Sequence, residues 1–137
     1  FIHTIIFNYL IGNADAHAKN YSFLYLKGRP RLAPAYDLLS TAVYPQLSKK
    51  MAMKIGGKYN SEDVYLRHWV QLVPDTQLAK NTMEKDLKKF ASTLPKKALS
   101  FSKMLEKKGL SSPVFDKIQA IIENRCQHVL KYWGMNS

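Results

Sequence analysis

Apolar and polar positions divide the chain into an irregular first half and a helical second half. Over residues 1–11, Ile2, Ile5, Ile6, Tyr9 and Leu10 recur at helical spacing, which predicts a mostly buried helix. Gly12 and Asn13 follow as stop residues, since both tolerate positive φ. Residues 13–20 are polar and read as a loop. The aromatic-rich run 21–26 alternates in part and predicts a strand, with a turn over residues 27–30. Arg31, Leu32, Ala33 and Pro34 form a short return strand, and Pro34, lacking an N–H, places it at an edge or at its end. Residues 35–44 read as a loop or short helix. Met51, Met53 and Ile55 alternate with Ala52 and Lys54, a second strand closed by a turn at Gly56 and Gly57.

From Ser61 the period becomes helical. Ser61 is the expected N-cap, with Glu62 and Asp63 in the first turn, and Val64, Leu66, Trp69, Val70 and Val73 form a buried stripe that stops at Pro74. Leu78, Met83, Leu87, Phe90 and Leu94 predict a helix ending before Pro95. Leu99, Met104 and Leu105 predict another, ended by Gly109. Ser111, Ser112 and Pro113 mark a helix start, a cap followed by proline at the first helical position, and Val114, Ile118, Ile121, Ile122, Val129, Leu130 and Trp133 line one face of a long final helix. The expected fold class is α+β, mostly α. A small β-hairpin layer in residues 1–60 precedes a helical bundle in residues 61–137, all in a single domain.

Composition narrows the setting. At 137 residues and 46% hydrophobic, the chain can bury about two-thirds of its unfolded surface and is not expected to be disordered. One cysteine, Cys126, excludes an internal disulfide, and a reducing cytoplasmic compartment is expected. No apolar run approaches the roughly 18 residues of a membrane span, so no membrane partner is expected. The chain opens without Met and is expected to be a piece of a longer protein. Lysine and arginine number 21 against 10 acids, a net charge of +11, which favours polyanionic partners or, equally, a solvated face of scattered lysines.

Candidate chemistry sits in the loop Gly12, Asn13, Ala14, Asp15, Ala16, His17, Ala18, Lys19, Asn20. Asp15 and Asn20 are five positions apart, and a second acid, Asp37, follows the hairpin. Phosphoryl transfer needs a carboxylate to take or orient the acceptor hydroxyl proton, and further oxygens to hold Mg²⁺. Kinases carry the base and the asparagine on one loop in a D-x-x-x-x-N spacing and bring the second acid in afterwards. The spacing alone is common and is better accounted for by an ordinary turn; the order of helix, polar loop, hairpin and second acid makes it informative.

At the level of motif, residues 13–20 resemble the catalytic loop of HipA-like kinases, characterised by D-x-H-x-K-N. The run Leu32, Ala33, Pro34, Ala35, Tyr36, Asp37, Leu38 resembles that family's metal-binding segment, and Met51 to Gly57 its following strand. The resemblance covers roughly residues 1–73. It implies the C-terminal lobe of a bacterial serine/threonine protein kinase, often the toxin of a toxin–antitoxin pair. ATP and Mg²⁺ would be its cofactors, Asp15 the catalytic base, and Asn20 and Asp37 the metal ligands. His17 is expected to contact the transferred phosphate or to brace the loop; Lys19 lies near the phosphates or is simply exposed. Implied partners are an N-terminal kinase lobe, absent from this chain, a protein substrate such as an aminoacyl-tRNA synthetase, and a DNA-binding antitoxin. No Gly-rich phosphate loop and no strand lysine of the V-A-I-K kind occur, so the isolated chain is expected to turn over little or nothing.

Other conspicuous residues take plain readings. His3, His68, His128 and Cys126 lack the converging ligand set of a zinc site. Tyr65, Trp69, Tyr132 and Trp133 fall at core spacing. Two competing functions stay open: a non-enzymatic basic module that binds nucleic acid or an acidic protein, and a kinase relative acting on a small molecule or lipid headgroup.

Overall fold

The structure is a computed structural model that describes residues 1–33 and 40–131, with Leu26 described in its backbone alone. Helix α1 spans Ile2–Leu10, strands β1 and β2 span Phe23–Leu26 and Arg29–Leu32, and helices α2, α3 and α4 span Leu66–Trp69, Gln77–Lys107 and Pro113–Lys131. The expected mostly helical chain with a small antiparallel hairpin is what is seen.

The core is built where the helical stripes meet. Ile6, Tyr9 and Leu10 of α1 pack with Met83, Leu87 and Ala91 of α3 and with Ile122 and Cys126 of α4. Trp69 closes one side, 1% exposed, with its ring edge-on to Tyr9 at 5.1 Å and 89°. Tyr9 donates its hydroxyl to the Ser61 carbonyl at 2.8 Å, and burial pushes its pKa up to about 12. Each such aromatic buries a large apolar area while its polar tip finds a partner.

Four expectations are corrected. The turn of the hairpin is tighter than expected: Lys27 and Gly28 both take positive φ (51° and 73°), the two-residue turn whose twist suits a hairpin. Strand β2 therefore begins at Arg29, and Pro30 lies inside it opposite Tyr25. The Ala33 N–H donates to the Ser22 carbonyl at 2.7 Å, and by alternation the Tyr25–Pro30 pair is not hydrogen-bonded, so the missing N–H of Pro30 costs no ladder bond.

The expected strand near Ile55 is only an isolated bridge between Ile55 and Lys58. Met51 donates to the Tyr59 carbonyl and Ala52 to the Ala14 carbonyl, so each neighbouring segment offers single bonds and no ladder. The expected helix after Ser61 is broken into a 3₁₀ turn at Ser61–Asp63, the short α2 and a second 3₁₀ turn at Val70–Leu72. Its cap is not Ser61, which lies inside the first 3₁₀ turn; Tyr65 is extended, and its N–H donates to His68 Nδ1 at 2.9 Å to start α2.

The two helices expected on either side of Pro95 are one helix, α3, with Pro95 inside it. Leu87, Ala91, Leu94 and Ala98 keep one face on the core through the proline, and Gln119 of α4 donates to the Pro95 carbonyl at 3.0 Å. Packing on both sides thus outweighs the single lost backbone bond. Gly109 ends α3 as expected, at φ 78°, with Gly109 N–H donating to the Glu106 carbonyl and Leu110 N–H to the Leu105 carbonyl. Ser112 caps α4, its Oγ accepting the Val114 N–H at 3.3 Å. Tyr132 and Trp133 lie outside the described residues.

Candidate functional site

The loop over residues 13–20 is launched by the end of α1. Gly12 N–H donates to the Tyr9 carbonyl (3.2 Å) and Asn13 N–H to the Asn8 carbonyl (2.9 Å), the paired bonds that close a helix through a left-handed residue. Gly12 stands at φ 74°, and a Cβ there would lie 2.8 Å from Ile121 and 2.9 Å from Ala42. Only glycine fits this exit.

Beyond it, Asn13 turns the chain. Its Oδ1 accepts the Asp15 N–H at 3.1 Å, a side-chain imitation of a backbone turn. Its Nδ2 donates to Asn8 Oδ1 at 2.8 Å, and Asn8 Nδ2 donates to the Tyr21 hydroxyl at 3.4 Å. Partial burial, opposed by the Asn8 bond, raises the Tyr21 pKa above its ordinary value. From the other side, Thr41 Oγ1 accepts the Ala14 N–H at 2.8 Å and donates to the Gly12 carbonyl at 3.1 Å. The Ala42 N–H also reaches the Gly12 carbonyl.

This frame leaves the Asp15 side chain in solvent, 63% exposed. His17 Nε2 stands 2.9 Å from Asp15 Oδ1, donating one hydrogen bond and leaving Oδ2 available. His17 thus contacts the carboxylate of its own loop, and its side chain remains about half exposed. A 3₁₀ turn at Ala18–Asn20 then returns the chain, and Asn20 Nδ2 donates to the Asp15 main-chain carbonyl at 3.1 Å. Asn20 is thereby held beside Asp15, with its amide oxygen as the remaining acceptor. Lys19 is exposed. An open cleft beside the pair is lined by Asp15, His17, Thr41, Ser48, Lys50 and Ala52.

Asp15, His17 and Asn20 are therefore gathered on one turn. Asp37, the third expected oxygen donor, lies outside the described residues. Among the described residues no three histidine, cysteine or acidic side chains gather to hold a metal, and no helix is long and apolar enough to cross a membrane. The histidines set aside as metal ligands have other partners: His3 meets Asp86 at 2.9 Å and His128 meets the Val64 carbonyl at 3.1 Å.

Two contributors were not anticipated from sequence. Asn8 had a usable signal, a lone amide on the inner side of an apolar helix. Thr41 had none, because it reaches Gly12 and Ala14 only through tertiary folding.

Residues 1–98 match the family model described as the HipA-like C-terminal domain. Among curated proteins, the chain is 53% identical over 64 residues to Y4mE of Sinorhizobium fredii, named as a candidate kinase; the match takes in 47% of this chain and 15% of that protein. It is 32% identical over 90 residues to the serine/threonine-protein kinase toxin HipA of Shewanella oneidensis, covering 66% of this chain and 21% of that one. Among solved structures, a chain in the Shewanella oneidensis complex of HipA, HipB and operator DNA superposes over 95% of this chain with a TM-score of 0.76 and 25% identity. This chain spans 31% of that one's length.

Proposed function

This chain belongs to the HipA-like C-terminal domain family, and from that membership and the loop geometry we propose that it is the catalytic-loop lobe of a serine/threonine protein kinase. The observation that carries the proposal is the clustering of Asp15, His17 and Asn20 on one turn. Asp15 Oδ1 accepts from His17 and Asn20 is tied to the Asp15 carbonyl. In this reading Oδ2 of Asp15 takes the proton of an incoming protein hydroxyl. His17 fixes the carboxylate's rotation. Asn20 keeps its oxygen at a constant offset from the base.

The donor chemistry fits a hard cation. Carboxylate and amide oxygens suit Mg²⁺, and Asn20, with Asp37 joining it, would hold the ion. Bound there, Mg²⁺ with ATP would supply the phosphoryl group and offset its charge. Thr41 follows Asp37 by four positions in sequence and is bonded to both Gly12 and Ala14, so the chain just after the second acid is fastened to the loop that carries the first. The elements that cover ATP would come from elsewhere in a longer protein, since this chain spans only 15% to 31% of the relatives cited.

The test is metal dependence in the full-length protein. Asn20→Ala is expected to raise the Mg²⁺ concentration for half-maximal phosphoryl transfer by about tenfold or more, in line with loss of a ligand or its support. Unchanged metal dependence in a folded Asn20→Ala protein would remove Asn20 from the site.

One observation favours a second, compatible activity. Lys85, Lys89, Lys96, Lys103 and Lys107, spaced four, seven, seven and four residues apart, lie along one solvent stripe of α3. All five are exposed, and such a stripe suits a polyanion such as nucleic acid or an acidic protein. That activity would survive loss of Asp15, which separates it from phosphoryl transfer.

A further inference from the structure

The orientation of the buried amides behind the loop follows from one backbone group. The Asp15 N–H can only donate, so the atom of Asn13 that meets it at 3.1 Å is Oδ1. Asn13 Nδ2 then points at Asn8, whose Oδ1 accepts at 2.8 Å, which leaves Asn8 Nδ2 to donate to the Tyr21 hydroxyl. Thr41 adds a second restraint, holding the carbonyl before Asn13 and the N–H after it with one hydroxyl. Asn8, Asn13 and Thr41 are only 6%, 5% and 7% exposed.

Three buried polar side chains in an apolar setting are costly unless their bonds are made. Replacing any one of them by an apolar side chain would leave a backbone or amide group of this loop without its partner. Apart from the Asn8 bond to Tyr21, the bonds described here converge on residues 12–15, the four positions that aim the Asp15 side chain. We infer that Thr41, Asn13 and Asn8 are positioning residues for Asp15, fixing where its carboxylate stands against an acceptor hydroxyl. None of them touches the reacting atoms. The inference rests on the phosphoryl-transfer reading of the site.

The experiment uses the full-length protein with ATP and a protein acceptor. It compares Thr41→Val, which keeps the shape and loses both bonds, with Thr41→Ser, which keeps both bonds. Asn8→Leu cuts the relay, and Asp15→Ala is the reference. Thr41→Val and Asn8→Leu are expected to lower kcat by tenfold to about a hundredfold, the scale of a misplaced catalytic group. KM for ATP should stay within about twofold, because uniform binding is untouched. Thr41→Ser should retain kcat within about threefold of wild type. Amide hydrogen exchange at Ala14 and Asp15 should quicken in Thr41→Val and not in Thr41→Ser.

The inference is overturned if folded Thr41→Val and Asn8→Leu keep kcat within about twofold of wild type, or if Thr41→Ser loses as much as Thr41→Val. Should Asn8→Leu not fold, the Thr41 pair decides alone. An Asp15→Ala protein that still transfers phosphate sinks the functional reading itself. A dead Asp15→Ala beside an unimpaired Thr41→Val sinks only the positioning role.

Discussion

His68 is 5% exposed, and its Nδ1 accepts the Tyr65 N–H at 2.9 Å. Gly56 brings a backbone turn against it: a Cβ at Gly56 would lie 2.5 Å from His68 Cβ and 2.6 Å from its Cα. Burial first, then the charges of Arg67 and Lys58, hold the His68 pKa below the ordinary imidazole value. The neutral ring is thus favoured in the fold and the protonated ring in the unfolded chain. The resulting stability is complete above the unfolded pKa of about 6.5 and is lost as pH falls below it. The denaturant midpoint is therefore expected to drop between about pH 7.5 and about pH 5. In His68→Gln that drop should be smaller; an equal drop in the variant would assign the pH dependence to other groups. At this scale the sequence was partly legible. Asp15, His17 and Asn20 stand near one another because all three lie within a single turn. The link from Tyr65 to His68 was not, since it needs the extended Tyr65 that only packing imposes.

Helix α3 shows how elements escape sequence punctuation. Pro95 removes the N–H that would bond the Ala91 carbonyl, yet the helix continues for 31 residues through it. Just upstream, Ser92 and Thr93 return their hydroxyls to the Lys88 and Lys89 carbonyls at 2.7 Å. Restoring the missing bond with Pro95→Ala is expected to stabilise the protein by about 1–3 kcal/mol, read as a higher thermal midpoint. A lower midpoint would show that the proline ring contributes packing that outweighs the bond. Local signals worked where the backbone itself decides the outcome, as at Gly12, at Gly109 and at Ser112 before Pro113. They failed at Pro95, at the expected strand near Ile55 and at the expected helix after Ser61, where contacts distant in sequence outweigh local preference.

At the scale of the molecule, described stretches on either side of the hairpin are tied to one place, the end of α1. The hairpin returns the chain from Ser22 to Ala33, and Thr41 fastens the segment that follows to the end of α1. Helices α3 and α4 supply the apolar floor on which α1 rests, while the lysine stripe of α3 faces solvent. This division places the polar loop at the surface beside an open cleft and keeps its supports in the core. The motif resemblance foretold the family, because residues 13–20 carry it in an unbroken run. Of the buried supports of that loop, Thr41 could not be foretold, because it lies 27 positions from Ala14 in sequence. The central claim is that Asp15 is the base of a phosphoryl-transfer site. It is tested most directly by measuring γ-phosphate transfer from ATP to a protein acceptor with the full-length protein carrying Asp15→Asn. A loss of about 10²- to 10⁴-fold in kcat, with the thermal midpoint unchanged, is the predicted result. Transfer at the wild-type rate by a folded Asp15→Asn protein would contradict it.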